Sequence, residues 1–228
     1  MGDIAGILFG LIGLAIPILI IAAIVYFIFR MKSGISLSIS YRAALRVYFY
    51  IVILVSIGLT GLGGVSTLIN VGLGEMVGQE FSYGEVYEEH RELQELKNNE
   101  DSSSYVVRDQ RSLPEKIDLE MKGKLINGIS LTVIGTFLMI VHFLGRRWVE
   151  TIGERADILR RLYLIAGLAV FSVITIVSLI AGIPETLRYA LLELEPGRES
   201  PGQALSIAIV GLPIWVSYLV ATLNNVRK

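Results

Sequence analysis

The sequence predicts an all-α protein, a polytopic bundle of five transmembrane helices with a small acidic segment outside the membrane. Hydrophobic residues make up 53% of the 228-residue chain, and its mean hydropathy is +0.63, which is high for a soluble domain. A helix needs about 20 apolar residues to cross about 30 Å of hydrocarbon. Five runs meet that requirement without any Asp, Glu, Lys or Arg, more than a soluble chain of this length could bury. These runs are Ile4–Phe29, Val47–Leu73, Leu125–Leu144, Leu162–Ile183 and Ala204–Leu223.

Net charge and cysteine content exclude several classes of function. The formal net charge is −1, so no basic field would attract nucleic acid. The absence of cysteine rules out disulfides, thiolate metal sites and a cysteine nucleophile. We therefore expect no nucleic-acid partner and predict no metal site.

The first apolar run is expected to be retained as a transmembrane helix. A cleavable signal peptide has a basic start and an apolar stretch of about 7–15 residues. Here the run is longer and follows Asp3, with no basic residue before it. Gly6 and Gly10 form a G-x-x-x-G pattern, which lets two helix backbones approach closely. This helix would therefore be suited to packing against another chain.

The charges between the runs predict the orientation in the membrane. Eleven basic residues lie between the first and second runs, between the third and fourth runs, and at the carboxyl terminus. The segment 75–124 instead carries thirteen acidic and seven basic residues. Because cytoplasmic loops are enriched in Lys and Arg, we predict an amino terminus outside and a carboxyl terminus in the cytoplasm.

The acidic segment 75–124 contains two predicted helical pieces. In the first piece, the apolar residues Val86, Tyr87, His90, Leu93 and Leu96 share one helical face. After a polar break, S-L-P-E at 112–115 is typical of a capping box that begins a helix leading into the third run. The apolar face would cover either the tips of the chain's own helices or the outer domain of a partner.

An internal repeat relates the last four runs. RVYFY at 46–50 matches RLYLI at 161–165, an offset of 115, and VIG at 133–135 matches IVG at 209–211, an offset of 76. The two glycine motifs are followed, seven residues after each glycine, by His142 and Tyr218. We therefore predict two copies of a helical hairpin related by an axis along the membrane normal. The predicted parts are 1–40 with the first helix, 41–150 with the first hairpin, and 151–228 with the second.

These motifs resemble the DUF5671 family of bacterial membrane proteins. The family has R-x-Y-x-Y at a helix start, which residues 46–50 fit. In the next helix it has V-G-x-P-x-W-x-x-H, which residues 210–218 fit except that Tyr218 replaces the histidine; the first copy keeps it as His142. The resemblance extends over residues 42–224 and implies a bacterial plasma-membrane protein. The family is uncharacterised, so the resemblance implies no activity.

His142 is the first candidate site. It is the only histidine inside a predicted span, and it lies four residues before Arg146, near the cytoplasmic surface. A neutral imidazole there could ligate haem or chlorophyll, or hydrogen-bond a quinone. The competing interpretation is a histidine at the membrane interface that bonds to a neighbouring helix or a lipid head group.

Two equivalent sets of Arg and Tyr side chains at the inner interface form the second candidate site. Arginine presents a planar fork to phosphate, so each set could bind the head group of an anionic lipid. The alternative is an ordinary aromatic belt with arginines that extend toward water. The sets are Arg46, Tyr48 and His142 in the first hairpin, and Arg161, Tyr163 and Tyr218 in the second.

The second run is rich in glycine, including Gly58, Gly61 and Gly64. A nucleotide-binding loop is excluded because the glycines lie inside a span without a preceding strand or a nearby lysine. Small residues allow close helix contact in membranes, so we predict that these three glycines pack helices together. We also expect Asn70 and Asn127, near the outer ends of their runs, to hydrogen-bond to each other.

The uncharged spans guide the functional hypothesis. Ion pathways and catalytic sites need ionisable groups at membrane depth, and the spans supply only His142. We therefore predict no enzyme activity and no resident cofactor. Our leading hypothesis is an accessory or scaffold subunit that packs against other membrane-protein subunits through the first helix and residues 75–124. The alternative is a protein that binds a pigment, quinone or lipid at the cytoplasmic interface; a transporter or channel would need a wet cavity lined by Ser, Thr and Asn.

Overall fold

The computed structural model describes residues 41–98, 111–151, 158–192 and 200–226. The first predicted span, with Gly6 and Gly10, lies outside the described residues. The chain divides into two units, Met1–Leu45 and Arg46–Lys228, and the packing described below belongs to the second.

The described residues are entirely helical apart from short connections, as the predicted fold class requires. One helical rod combines α1, a π-helix that we call π1, and α2. It is followed by a short helix, α3, and by three long helices. The bounds are α1 Tyr41–Ile57, π1 Gly58–Val65, α2 Ser66–Met76, α3 Gln79–Asn98, α4 Leu113–Val149, α5 Ile158–Leu191 and α6 Gly202–Val226.

Four stretches of the described chain are long and apolar enough to cross a membrane. They are Tyr41–Met76, Leu113–Val149, Ile158–Leu191 and Gly202–Asn225, and they correspond to the last four predicted runs. With 37 residues, α4 is about 55 Å long, so it extends well beyond about 30 Å of hydrocarbon. Its extra length is the polar start, where Ser112 and Glu115 form the predicted capping box with both reciprocal hydrogen bonds.

The long helices pack as two antiparallel hairpins placed side by side. In the first, α4 packs along π1 and α2; in the second, α5 packs along α6. The hairpins meet where α2 and π1 contact α6. Across the described helices the main contacts thus follow the order α4, the α1–π1–α2 rod, α6 and α5. We call the end that carries Arg46 and Arg146 the basic end, and the opposite end, where α3 packs on α2 and α4, the cap end. At the basic end α5 also meets the rod directly, where the Tyr50 and Tyr163 rings are 4.7 Å apart.

Close contact between helices occurs at two of the three predicted packing glycines. A methyl group added at Gly64 would lie 2.6 Å from the Thr132 nitrogen of α4, and one at Gly61 would lie 2.8 Å from Ile214 of α6. At Gly58 an added methyl group would meet no atom of the described residues within 4 Å. The packing role predicted for Gly58 therefore has no partner among the described helices and stays a prediction.

Among the described residues the interior at mid-depth contains no charged side chain, but it does contain polar ones. Ser56, Ser66, Thr175 and Ser206 are completely buried. Three of these hydroxyls donate to a carbonyl one turn earlier in their own helix, as Ser56 does to Val52 at 2.7 Å. Such bonds satisfy a hydroxyl within its own helix, so burial of these serines does not require water.

Candidate functional site

A buried cluster of charges lies at the basic end. Arg46 and Glu150 are 3% and 6% exposed, and the Arg46 guanidinium lies 3.4 Å from the Glu150 carboxylate. The Tyr50 hydroxyl donates a short hydrogen bond to the same carboxylate, and the Arg146 side chain lies 3.6 Å from it. Glu150 is therefore the shared partner of two arginines and a tyrosine.

Helix geometry brings these four side chains together. Arg46 and Tyr50 are one turn apart on α1, and Arg146 and Glu150 are one turn apart where α4 ends. The Glu150 backbone N–H also closes the last turn by donating to the Arg146 carbonyl, 2.9 Å away. The Arg146 guanidinium lies 5.3 Å from the centre of the Tyr50 ring, within the range of cation–π attraction.

The cluster changes the interpretation of the predicted phosphate pockets. Arg46 is buried against Glu150, so it cannot present its fork to a lipid head group. Arg161, its counterpart in the second hairpin, is exposed. The two arginines thus have different environments, and the predicted pair of equivalent pockets is wrong at this position.

The structure brings the first predicted Tyr–His pair together. The Tyr48 hydroxyl and the His142 Nε2 are 3.1 Å apart, and the His142 Nδ1 lies 2.7 Å from the Leu138 carbonyl. Since a carbonyl can only accept, Nδ1 carries the proton and Nε2 accepts from Tyr48. A metal or pigment ligated by Nε2 would have to displace Tyr48. This geometry is the one expected for a histidine that bonds to a neighbouring helix.

The second pair is also together, and it is more deeply packed. The hydroxyls of Tyr163 and Tyr218 are 2.7 Å apart, and Tyr218 is buried together with Leu164 and Phe171. Gly167 makes room for Tyr218, since a methyl group there would lie 2.6 Å from the Tyr218 Cδ1. Position 167 corresponds to Val52 in the first hairpin, where the larger side chain leaves no such space for His142.

Contacts recur at the predicted offsets of 115 and 76 residues. Tyr48 with His142 and Tyr163 with Tyr218 are related by these offsets, and both are hydrogen-bonded. A second recurrence involves glycine. A methyl group at Gly135 would lie 2.9 Å from the Thr60 nitrogen, and one at Gly211 would lie 2.6 Å from the Thr175 hydroxyl; the two contacts are related in the same way.

A second polar cluster lies at the cap end, and the sequence did not predict its partners. The completely buried Asn70 donates its amide to the Gln203 carbonyl at 3.1 Å, whereas Asn127 is exposed. The expected bond between Asn70 and Asn127 is therefore wrong, because α6 rather than α4 faces Asn70. The backbone carbonyl of Asn70 also accepts from the Ser82 hydroxyl at 2.7 Å.

The start of α3 is inserted against the helix ends at the cap end. Phe81, Ser82 and Tyr83 are buried, and the Lys124 ammonium donates to the Ser82 carbonyl at 3.1 Å while lying 4.9 Å from the centre of the Tyr83 ring. Farther along α3, Val86 and the other described residues of the predicted apolar face are half-buried. The first turn of α3 therefore covers the chain's own helix ends, whereas the predicted apolar face lies farther along the helix and its two alternatives stay open.

Tyr83 provides a testable property of the cap end. It is 1% exposed, and its hydroxyl has no hydrogen-bond partner among the described residues. Burial raises the pKa of Tyr83 above 10.0, and the charges of Glu75 and Glu120 raise it further. Tyr83 therefore brings no ionisation penalty below pH 10, the unfolded value, and the free energy of unfolding falls as pH rises from there through the folded pKa.

We expect Tyr83→Phe to leave stability at pH 7 unchanged or slightly higher, because it removes a buried hydroxyl that lacks a partner. It should also reduce the loss of stability above pH 10. Thermal unfolding in detergent at pH 7 and pH 10.5 would measure both effects. Tyr41→Phe is the control, since Tyr41 is 84% exposed. An equal alkaline loss in the Tyr83→Phe protein would contradict the expectation.

Neither cluster has the composition of a catalytic or metal centre. Among the described residues, no group of three or more His, Cys, Asp or Glu side chains is placed to hold a metal ion. At the basic end the one carboxylate is already engaged by Arg46, Arg146 and Tyr50. The arrangement joins α1 to α4, and such a contact positions helices relative to one another.

Comparison with known families agrees with the motifs. The family described as "Domain of unknown function (DUF5671)" matches residues 106–212. This segment is shorter than the expected range 42–224, and it leaves out the motif at 46–50 and the residues from 213 to 218. No curated protein and no solved structure matches the chain. The predicted resemblance to this family is nevertheless confirmed over residues 106–212, slightly less than half of the chain.

Proposed function

We propose that this chain is a non-catalytic integral membrane protein that serves as an accessory or scaffold subunit for other membrane proteins. The proposal rests mainly on the exposure of α4. In its most apolar 18-residue window only 11% of the residues are buried, against 28%, 28% and 33% in the other three spans. Membrane helices associate through packing and interhelical hydrogen bonds, and α4 has the largest surface available for such contacts.

The cap end supplies a second surface for a partner. Beyond its buried start, α3 exposes an acidic face that includes Glu85, Glu88, Glu92 and Glu95. Because the apolar first turn of α3 is already covered by the chain's own helices, this face would attract a partner through charge. A partner with a basic outer surface fits the acidic face.

We also propose that the two hairpins are copies of one unit, which divides the chain at 1–40, 41–150 and 151–228. The recurring Tyr–His, Tyr–Tyr and Thr–Gly contacts support this duplication. A scaffold built from repeats offers similar faces to more than one partner helix. The positive-inside pattern supports an orientation with the basic end in the cytoplasm of a bacterial cell.

Purification from native membranes in lipid nanodiscs tests the scaffold proposal. We expect other membrane proteins to co-purify in stoichiometric amounts. Charge-neutral replacement of the α3 face, with Glu88, Glu92 and Glu95 changed to Gln, should weaken that association. The matched control is a charge-neutral replacement on α4, with Glu115 and Glu120 changed to Gln and Asp118 changed to Asn. A particle that contains only this chain would contradict the proposal.

The alternative function, binding of a pigment, quinone or lipid at the basic end, is supported by the half-exposed Tyr48–His142 pair. The neighbouring Phe49 ring lies 6.0 Å from the His142 ring, so an aromatic group faces the same region. The absorbance spectrum and lipid extract of the purified protein would test this function. His142→Ala should remove any bound chromophore or enriched lipid. If none is found, this alternative fails.

A further inference from the structure

We infer that copies of this chain associate head to tail, with the exposed face of α4 in one copy packed against the exposed face of α5 in the next. The contact would repeat the one that already joins the two hairpins within a chain. This inference rests on the proposed duplication, and it names a second copy as one partner of the α4 surface.

The contact within one chain provides the template. The α1–π1–α2 rod of the first hairpin meets α6 of the second, where Gly61 accepts Ile214 and Val210. At the cap end the same contact includes the hydrogen bond from Asn70 to Gln203. In the order α4, rod, α6, α5 this type of contact is used once within the described chain, where Tyr163 of α5 also meets Tyr50 of α1. The same type of contact could be used again at both ends of that order.

At one end of this order, α4 carries the counterparts of the α6 contact residues. An offset of 76 relates Val210 to Ile134, Gln203 to Asn127 and Ser206 to Ser130. In α6 the polar members of this set are engaged, with Gln203 bonded to Asn70 and Ser206 completely buried. In α4 all three counterparts are exposed. An amide and a hydroxyl on a face that is otherwise apolar favour contact with protein over contact with lipid.

At the other end of this order, α5 carries the counterparts of the contact residues of the rod. An offset of 115 relates Gly61 to Ile176, which is 46% exposed, and Asn70 to Glu185. Ile176 is larger than glycine, so the helix axes would stand farther apart between chains than within one.

The exposed faces of α4 and α5 are the repeat counterparts of two surfaces that already contact each other within the chain. A second copy is therefore the partner that fits them. A heterologous contact of this type closes into a ring when the rotation allows it. A closed ring would leave none of these faces exposed. The alternative occupants of the α4 face are a different protein, lipid alone, and the amino-terminal span.

Disulfide cross-linking tests the inference, because the chain has no cysteine of its own. A protein with Ile134→Cys and Ile176→Cys should form, on mild oxidation in native membranes, a product at twice the 25.1 kDa monomer mass and larger multiples of it. Each single variant alone should stay monomeric, since the contact joins unlike faces. Mixing the two single variants should restore the dimer.

Two controls separate this inference from the proposals on which it rests. The pair Val133→Cys and Ile176→Cys should not cross-link between chains: Val133 lies at the same depth and is 63% exposed, but its counterpart Ile209 faces outward. The pair Asn70→Cys and Gln203→Cys should cross-link within one chain. Failure of this internal pair would contradict the hairpin contact itself rather than the association of copies.

Three results would overturn the inference. The first is a dimer formed by Ile134→Cys alone, which would mean a symmetric α4–α4 contact. The second is cross-linking of Ile134→Cys to a cysteine placed within residues 4–29, which would assign the face to the amino-terminal span. The third is a monomer with an intact internal cross-link. If a different protein co-purified with that monomer, the association of copies would be wrong but the scaffold proposal would still be supported.

Discussion

Glu150→Ala is expected to cost about 3–5 kcal/mol of the free energy of unfolding, the range for breaking a buried ion pair by removing one partner. Its carboxylate is 6% exposed and is the shared partner of Arg46, Arg146 and Tyr50. Without it, the Arg46 guanidinium, itself 3% exposed, would keep its charge next to Arg146 in a region that excludes water. Tryptophan fluorescence during denaturation would measure the change, because Trp215 packs against the buried Leu164, Phe171 and Tyr218 side chains.

Two further proteins decide whether the charge itself causes the loss. Arg147→Ala removes an exposed arginine from the same turn and should change stability by about 0.5 kcal/mol or less. The double substitution Arg46→Met with Glu150→Leu removes both members of the pair and should recover much of the loss, since apolar residues of similar volume can replace a buried pair. A double variant as unstable as Glu150→Ala would contradict this explanation.

The parts of the fold that depend on hydropathy could be predicted from the sequence. Each of the last four runs lies inside a helix, because a membrane span must satisfy its backbone bonds internally. The start of α4 was also predictable, since Ser112 and Glu115 form a capping box. The π-helix was not. No local pattern marks a wider turn at residues 58–65, and the contacts of Gly61 with α6 and of Gly64 with α4 become visible only in the packed helices.

The candidate site was predicted in part for a related reason. The sequence grouped Tyr48 with His142 and Tyr163 with Tyr218, and both pairs are hydrogen-bonded in the structure. The sequence does not mark Glu150 as a site residue, because its partner Arg46 is 104 residues away. The one local clue was the spacing of four residues from Arg146, which is common on exposed helix surfaces as well.

Gly64→Ala is expected to destabilise the first hairpin by about 1–3 kcal/mol, the range for overpacking a well-packed interior. The added methyl group would lie 2.6 Å from the Thr132 nitrogen and 2.9 Å from its Cα. Both atoms are backbone, so no change of side-chain rotamer can relieve the contact and α4 must move away from π1. Thermal unfolding in detergent would measure the loss of stability, and α4 should also become more accessible to proteolysis.

Gly58→Ala is the matched control, because Gly58 lies in the same π-helix and a methyl group there meets nothing within 4 Å. Alanine loses less backbone entropy than glycine in a helix, so this variant should be unchanged or slightly more stable. The difference between the two proteins therefore isolates the contact with α4 from the general effect of replacing glycine. Equal stability of the two variants would mean that close approach at Gly64 does not hold the first hairpin together. The hairpin would then depend on the contact of Gly135 with Thr60 and on the buried Arg46–Glu150 pair.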